Sequence, residues 1–156
     1  MFLFLLNLMI IFLIAFSIAK KRLNLPSNLF IFMIMELLIT SYFAVLHINL
    51  EVWEITNDLK LFIIFRLYEM IFIPLLYVTY FNLLAAIKLH LNKGMFTIIY
   101  IAVLYGVEIL LVEGKVIRYN EWHFWQSLLS ISLVLFISYL SYLSFNHVLR
   151  KEGMGK

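Results

Sequence analysis

Polar positions are sparse along this chain and divide it into five apolar runs: Met1–Ala19, Leu29–Leu50, Leu61–Ile87, Met95–Val112 and Trp122–Val148. Each is close to the ~20 residues that a helix needs to cross a bilayer. The last would reach ~40 Å at ~1.5 Å per residue, so it tilts or extends beyond the hydrocarbon. The connections between runs are short and leave no room for a soluble domain. The pattern therefore predicts an all-α protein, a five-helix transmembrane bundle forming a single integral membrane domain over 1–156.

The polar residues inside the runs are where chemistry is to be sought, because hydrocarbon tolerates ionisable groups badly. Leu61–Ile87 carries Arg66, Glu69 and Pro74. Arg66, Glu69, Ile73, Tyr77 and Tyr80 share one stripe at three- and four-residue spacing, and Arg66 and Glu69 can pair within the helix. Pro74 has no N–H to give to the Met70 carbonyl, which predicts a kink there. In the second run Glu36, Thr40, Phe43 and His47 fall on one face. Glu36 is placed about 10 Å in from the start of that run. The fourth run brings Glu108, with Tyr105 one turn before it, and is bounded by Gly94 and Gly114. The fifth aligns His123, Ser127, Ser130, Val134, Ser141 and Ser144, small hydroxyls suited to close helix packing.

Composition agrees with a membrane protein: 65% of residues are hydrophobic and 13% charged. The absence of cysteine removes disulfides, thiolate metal sites and cysteine nucleophiles from consideration. The net charge of +3 is more informative by position. Lys20, Lys21, Arg22, Lys88, Lys93, Arg150, Lys151 and Lys156 all fall on one side of a five-span arrangement. The other side mixes Lys60, Lys115 and Arg118 with Glu51, Glu54, Asp58, Glu113 and Glu121. The positive-inside rule makes the basic side cytoplasmic, with the N-terminus outside and the C-terminus inside. Trp53, Trp122 and Trp125 suit the outer interface. Ser17-Ile18-Ala19 loosely resembles a signal cleavage site, but the positive charge follows the apolar core instead of preceding it, so the first run is expected to be an uncleaved anchor.

With these orientations His47, Arg66, Glu69, Glu108 and His123 all fall in the outer third of the membrane or at its surface. Charged groups in a bundle seek one another or water, so they are expected to form one cluster, with Arg66 bracketed by Glu69 and Glu108. That cluster is a structural clamp, a pocket for a ligand, ion or proton, or a set of side chains snorkelling to the surface. Glu36 lies deeper and is expected to meet hydroxyls, Tyr80 or the serines of the fifth helix. No metalloprotease, phosphate-loop or nucleophile-elbow motif occurs. No cofactor, metal or nucleic acid is expected. The partners expected are the lipid bilayer and another membrane protein or a second copy of the chain.

Two resemblances bear on this. The length and five-span, N-outside layout are similar to the tryptophan-rich sensory (translocator) proteins, which bind porphyrins and sterols. That likeness is topological, the family's Pro- and Trp-rich loop is missing, and its ligands are not carried over. The second is carried by Val107-Glu108-Ile109-Leu110, then Gly114, Tyr119 and Trp122-His123-Phe124-Trp125-Gln126-Ser127, with Trp53 earlier. These resemble the fourth-helix Glu, outer-loop Gly and Tyr, and Trp-rich fifth-helix start of a family of small membrane proteins from spore-forming Bacillota. That family has no assigned activity, so the resemblance implies architecture and weight on Glu108 and Trp122. It supplies no reaction. The expected function is that of a non-enzymatic accessory or sensor protein in a bacterial cytoplasmic membrane. The alternative is small-molecule, ion or proton binding or transport through an outer-half polar pocket. An intramembrane enzyme using His123 and Glu108 as acid and base ranks third.

Overall fold

The computed structural model describes residues 2–18 and 22–152; Lys20, Lys21 and Lys156, which entered the charge balance, lie outside the described residues. Five helices follow one another: α1 (Phe2–Ile18), α2 (Leu25–Asn49), α3 (Leu59–Ala86), α4 (His90–Glu113) and α5 (Phe124–Lys151). The last four are long and apolar enough to cross a membrane, α4 over Leu91–Glu113. The 17 residues of α1 make a helix of about 25 Å, shorter than the ~30 Å hydrocarbon core. The chain is a small multispan, all-α membrane protein with four long apolar helices and a short apolar one before them.

Three helices, α2, α3 and α4, begin earlier than their apolar runs, and polar residues start the first two. The Asn24 side chain accepts from Ser27 N at 3.0 Å, with Pro26 in the first turn where its missing N–H costs nothing. Asp58 accepts from Lys60 N at 2.9 Å and Leu61 N at 3.1 Å. Counted from Leu25, Glu36 is about 16 Å along α2, near its middle and deeper than the sequence placed it.

Uniform hydropathy hides which face of α2 is inside. Ser27, Ile31, Met35, Ile39 and Phe43 form the buried stripe, one residue every turn. Leu25, Leu29, Met33 and Leu37 point the other way and are exposed. The expected polar face is therefore rotated off the core: Phe43 is buried, but Thr40 is exposed and Glu36 is half-buried. Large apolar side chains filled the centre, and the polar ones took its margin.

On α3 four members of the expected stripe, Glu69, Ile73, Tyr77 and Tyr80, are buried, while Arg66 is exposed. The disturbance expected ahead of Pro74 takes the form of a π-helical turn over Tyr68–Phe72, closed by Ile73 N on Tyr68 O. A wide turn relieves the clash between the proline ring and the preceding carbonyls without breaking the helix. This turn and the second half of α3 pack on α2, which also meets α5; α4 closes the bundle against α3 and α5. α1 leans on the outside of α3, where Phe12 meets Phe72 edge-on at 4.8 Å.

Between the helices the sequence showed only polar loops. The structure builds a two-stranded antiparallel ribbon from them: β1 (Trp53–Ile55) and β2 (Ile117–Tyr119), pairing Trp53 with Tyr119, Glu54 with Arg118 and Ile55 with Ile117. Thr56 N on Val116 O and Asn120 N on Val52 O extend the pairing at either end. Trp53, Val116 and Ile117 are buried beneath it, while Glu54 and Arg118 face outward, so the ribbon lids this end of the bundle. Non-glycine residues with positive φ, Glu51, Lys115 and Glu121, flank the two strands and turn the chain into and out of them.

Candidate functional site

At the ribbon end of the bundle the side chain of Glu108 of α4 is buried. Two hydroxyls converge on its Oε1. Ser127 of α5 donates to it at 2.5 Å, and Tyr119 of the ribbon donates to the same oxygen. Trp122 Nε1 in turn donates to Ser127 Oγ at 2.7 Å, so an indole, a hydroxyl and a carboxylate form a chain from the rim inward. Burial first, and then the nearby Glu108 charge, push the Tyr119 hydroxyl well above its usual range, so it remains a donor.

Beside this network lies a cavity of about 30 Å³, whose lining includes Glu108, Tyr42, Trp53, Tyr68 and Tyr77. Two buried donors there have no hydrogen-bond partner of ordinary geometry, Trp53 Nε1 and the Tyr42 hydroxyl, although Ser130 is close enough to interact with the latter. An orphaned buried donor costs about 1–3 kcal/mol, and a site this size holds a single water with little to spare.

The remaining site residues expected from sequence do not join Glu108. Arg66 Nη1 donates to Glu69 Oε2 at 2.6 Å, the pairing expected from their spacing. No ion pair joins Arg66 to Glu108 among the described residues. The Arg66 side chain is 50% exposed and that of Glu69 is 3% exposed, so the guanidinium leans out of the bundle while its carboxylate lies within. Its guanidinium carbon lies over the rings of Phe62 and Phe65, 5.2 and 5.9 Å from their centroids. His47 Nδ1 is 2.9 Å from Trp53 O and ties the end of α2 to β1. His123 is exposed at the start of α5, its backbone N–H donating to Gln126 Oε1 at 2.6 Å. The one expected cluster is thus four separate arrangements. Hydroxyls and backbone groups nearer at hand satisfied partners that the sequence had assigned to one another.

Glu36 also differs from expectation. Tyr80 pairs with Thr97 of α4 at 2.9 Å, and Ser141 and Ser144 bond the carbonyls of Ile137 and Leu140 in their own helix.

A second polar network, missed from sequence, joins the basic end. Asn82 of α3 accepts from Arg22 N at 2.7 Å and Leu23 N at 3.0 Å, and donates to Asn28 Oδ1 at 2.6 Å and Val78 O at 2.8 Å. Ser27 donates to Asn146 of α5 at 3.1 Å. The signal was available: Asn82 is an uncharged polar residue inside an apolar run, close to one end. Among the described residues no group of three His, Asp or Glu side chains is placed to hold a metal ion.

No family model, curated protein or solved structure matches the chain. The comparisons identify no family, and the fold stands as that of a small multi-helix protein with four long apolar helices.

Proposed function

We propose that this chain is a non-enzymatic accessory or sensor protein of a bacterial cytoplasmic membrane, with five spans, the N-terminus outside and the C-terminus cytoplasmic, and that it meets a partner helix through the Arg66 face of α3. The observation that carries this reading is the direction of Arg66. Leu59, Ile63, Arg66 and Met70 recur at helical spacing and are all exposed, forming a stripe turned away from the bundle with a cation in it. Arg66 lies about 10 Å along α3, inside a span. A cation there is costly unless a carboxylate or a phosphate meets it. Glu69 answers part of that need from below, and an acidic residue on a neighbouring helix would answer the rest. The wide turn that starts two residues after Arg66 fits the same reading, since such turns are frequent at functional sites.

The test is photo-crosslinking in cells from probes at Ile63 and Met70. The expected result is a discrete partner band that Arg66→Glu abolishes while expression is kept. A band at twice the chain mass would make the partner a second copy. Lipid adducts alone would overturn the reading, leaving Arg66 as a side chain that reaches the phosphate layer.

The alternative function, binding or transport through an outer-half polar pocket, is favoured by the unpartnered Trp53 Nε1 beside Glu108. The size of that cavity restricts it to water or a proton. Glu108→Gln is then expected to lower proton movement in liposomes with folded protein retained. Unchanged movement would remove it.

A further inference from the structure

An open cleft lies at the other end of the bundle. It encloses about 360 Å³ between the last turns of α3, the first turn of α4 and the last turns of α5. That volume is within the range of small-molecule sites. Among the described residues three groups capable of positive charge line it, Lys93, His147 and Arg150, and no carboxylate does. Neither Lys93 nor Arg150 forms an ion pair among the described residues. The facing wall is aromatic and apolar: Phe81, itself buried, lies against Tyr139 with near-parallel rings 6.5 Å apart, and Leu143 adjoins them. From Leu143 an exposed apolar track continues along α5 through Leu140 and Phe136, toward the middle of the helix.

Cations at a helix boundary next to an apolar wall that runs into the span select one kind of ligand, an anion carried on a hydrocarbon tail. A soluble phosphate would use the cations and leave the wall unsatisfied. An acyl chain alone would use the wall and leave the cations unpaired. We infer that this cleft binds the headgroup of an anionic phospholipid, its phosphate between Lys93 and Arg150 and its acyl chain along Tyr139, Leu143 and Leu140. Lys93 lies in the first turn of α4 and Arg150 in the last turn of α5, so both reach the depth at which headgroup phosphates lie. The inference does not depend on what meets Arg66.

The test uses the full chain in nanodiscs of phosphatidylcholine with a minority of phosphatidylglycerol, and native mass spectrometry to count the phosphatidylglycerol retained on transfer to detergent. The unmodified chain is expected to retain one molecule preferentially. The double variant Lys93→Gln/Arg150→Gln is expected to lose about tenfold in retention. Lys88→Gln/Lys151→Gln, with the same charge change outside the cleft, is expected to keep it. Leu143→Glu, which places a carboxylate on an exposed part of the wall, is expected to behave like the cleft double variant. Equal losses in both double variants would reduce the site to a diffuse basic surface and overturn the inference, as would full retention in all of them. Displacement of the lipid by millimolar inorganic phosphate would reassign the cleft to a soluble anion and overturn the lipid assignment.

Discussion

The Tyr119 hydroxyl, on a strand built from the loop between α4 and α5, donates to the buried Glu108 carboxylate of α4. One bond thus fastens the ribbon to the bundle, and Ser127 of α5 shares the same oxygen. Removing the acceptor should therefore loosen two attachments at once. Glu108→Ala is expected to lower unfolding stability by about 1–3 kcal/mol, because two donors lose their partner in a buried setting. Glu108→Gln keeps an acceptor oxygen and should retain most of that stability. Thermal unfolding in detergent, followed by tryptophan fluorescence, distinguishes the two; equal losses would show that the charge, not the acceptor, holds the ribbon.

The ribbon itself is open to a direct check, since the chain contains no cysteine to interfere. Glu54 and Arg118 are register partners whose side chains face outward. Facing residues in such a pair approach within ~5.5 Å, the separation that disulfides span. Glu54→Cys/Arg118→Cys should cross-link rapidly under mild oxidation, and Asp58→Cys/Arg118→Cys, out of register, should not. Similar yields from both pairs would mean that the loops are not paired as described.

At the basic end Asn82 does the corresponding work for the segment that precedes α2. Its Oδ1 takes both the Arg22 and Leu23 amides. Asn82→Leu fills the same space without an acceptor and is expected to cost about 1–3 kcal/mol. It should also make the Arg22–Asn24 segment cleavable by protease in membranes. Stability unchanged from the parent would show that water replaces the side chain there.

Orientation is testable with single cysteines in the two loop sets. A thiol reagent that does not cross membranes should label Asn57→Cys in intact cells and reach Lys88→Cys only after lysis. The opposite pattern would invert the proposed topology, and labelling of both in intact cells would place them on the same side.

How much of this was legible in the sequence differs from element to element. The Arg66–Glu69 pair was, because residues three apart on a helix meet whatever the helix packs against. Before Pro74 the sequence led to a kink, and what the structure has there is a π turn. Glu108 stood out as a polar residue in an apolar run, but its partners did not: Tyr119 reaches it only because two loops far apart in sequence pair as a ribbon. The inward face of α2 was misread because Glu36, Thr40 and His47 suggested a polar interior, whereas packing volume put Ile31, Met35 and Ile39 there.

The sequence by itself determined that this is a membrane-embedded bundle, which stretches are helical though not where each starts, and that Arg66 and Glu69 pair within a single helix. Those properties follow from the length of apolar runs, from capping residues and from helical spacing, all of which are local. Tertiary structure alone decided that Arg66 leans outward while Glu108 is enclosed by hydroxyls, and that Lys93 and Arg150 share a cleft. In hydrocarbon, apolar faces are nearly equivalent to one another, so side-chain shape and the few available hydrogen bonds settle how the helices rotate. Those depend on neighbours that hydropathy does not name.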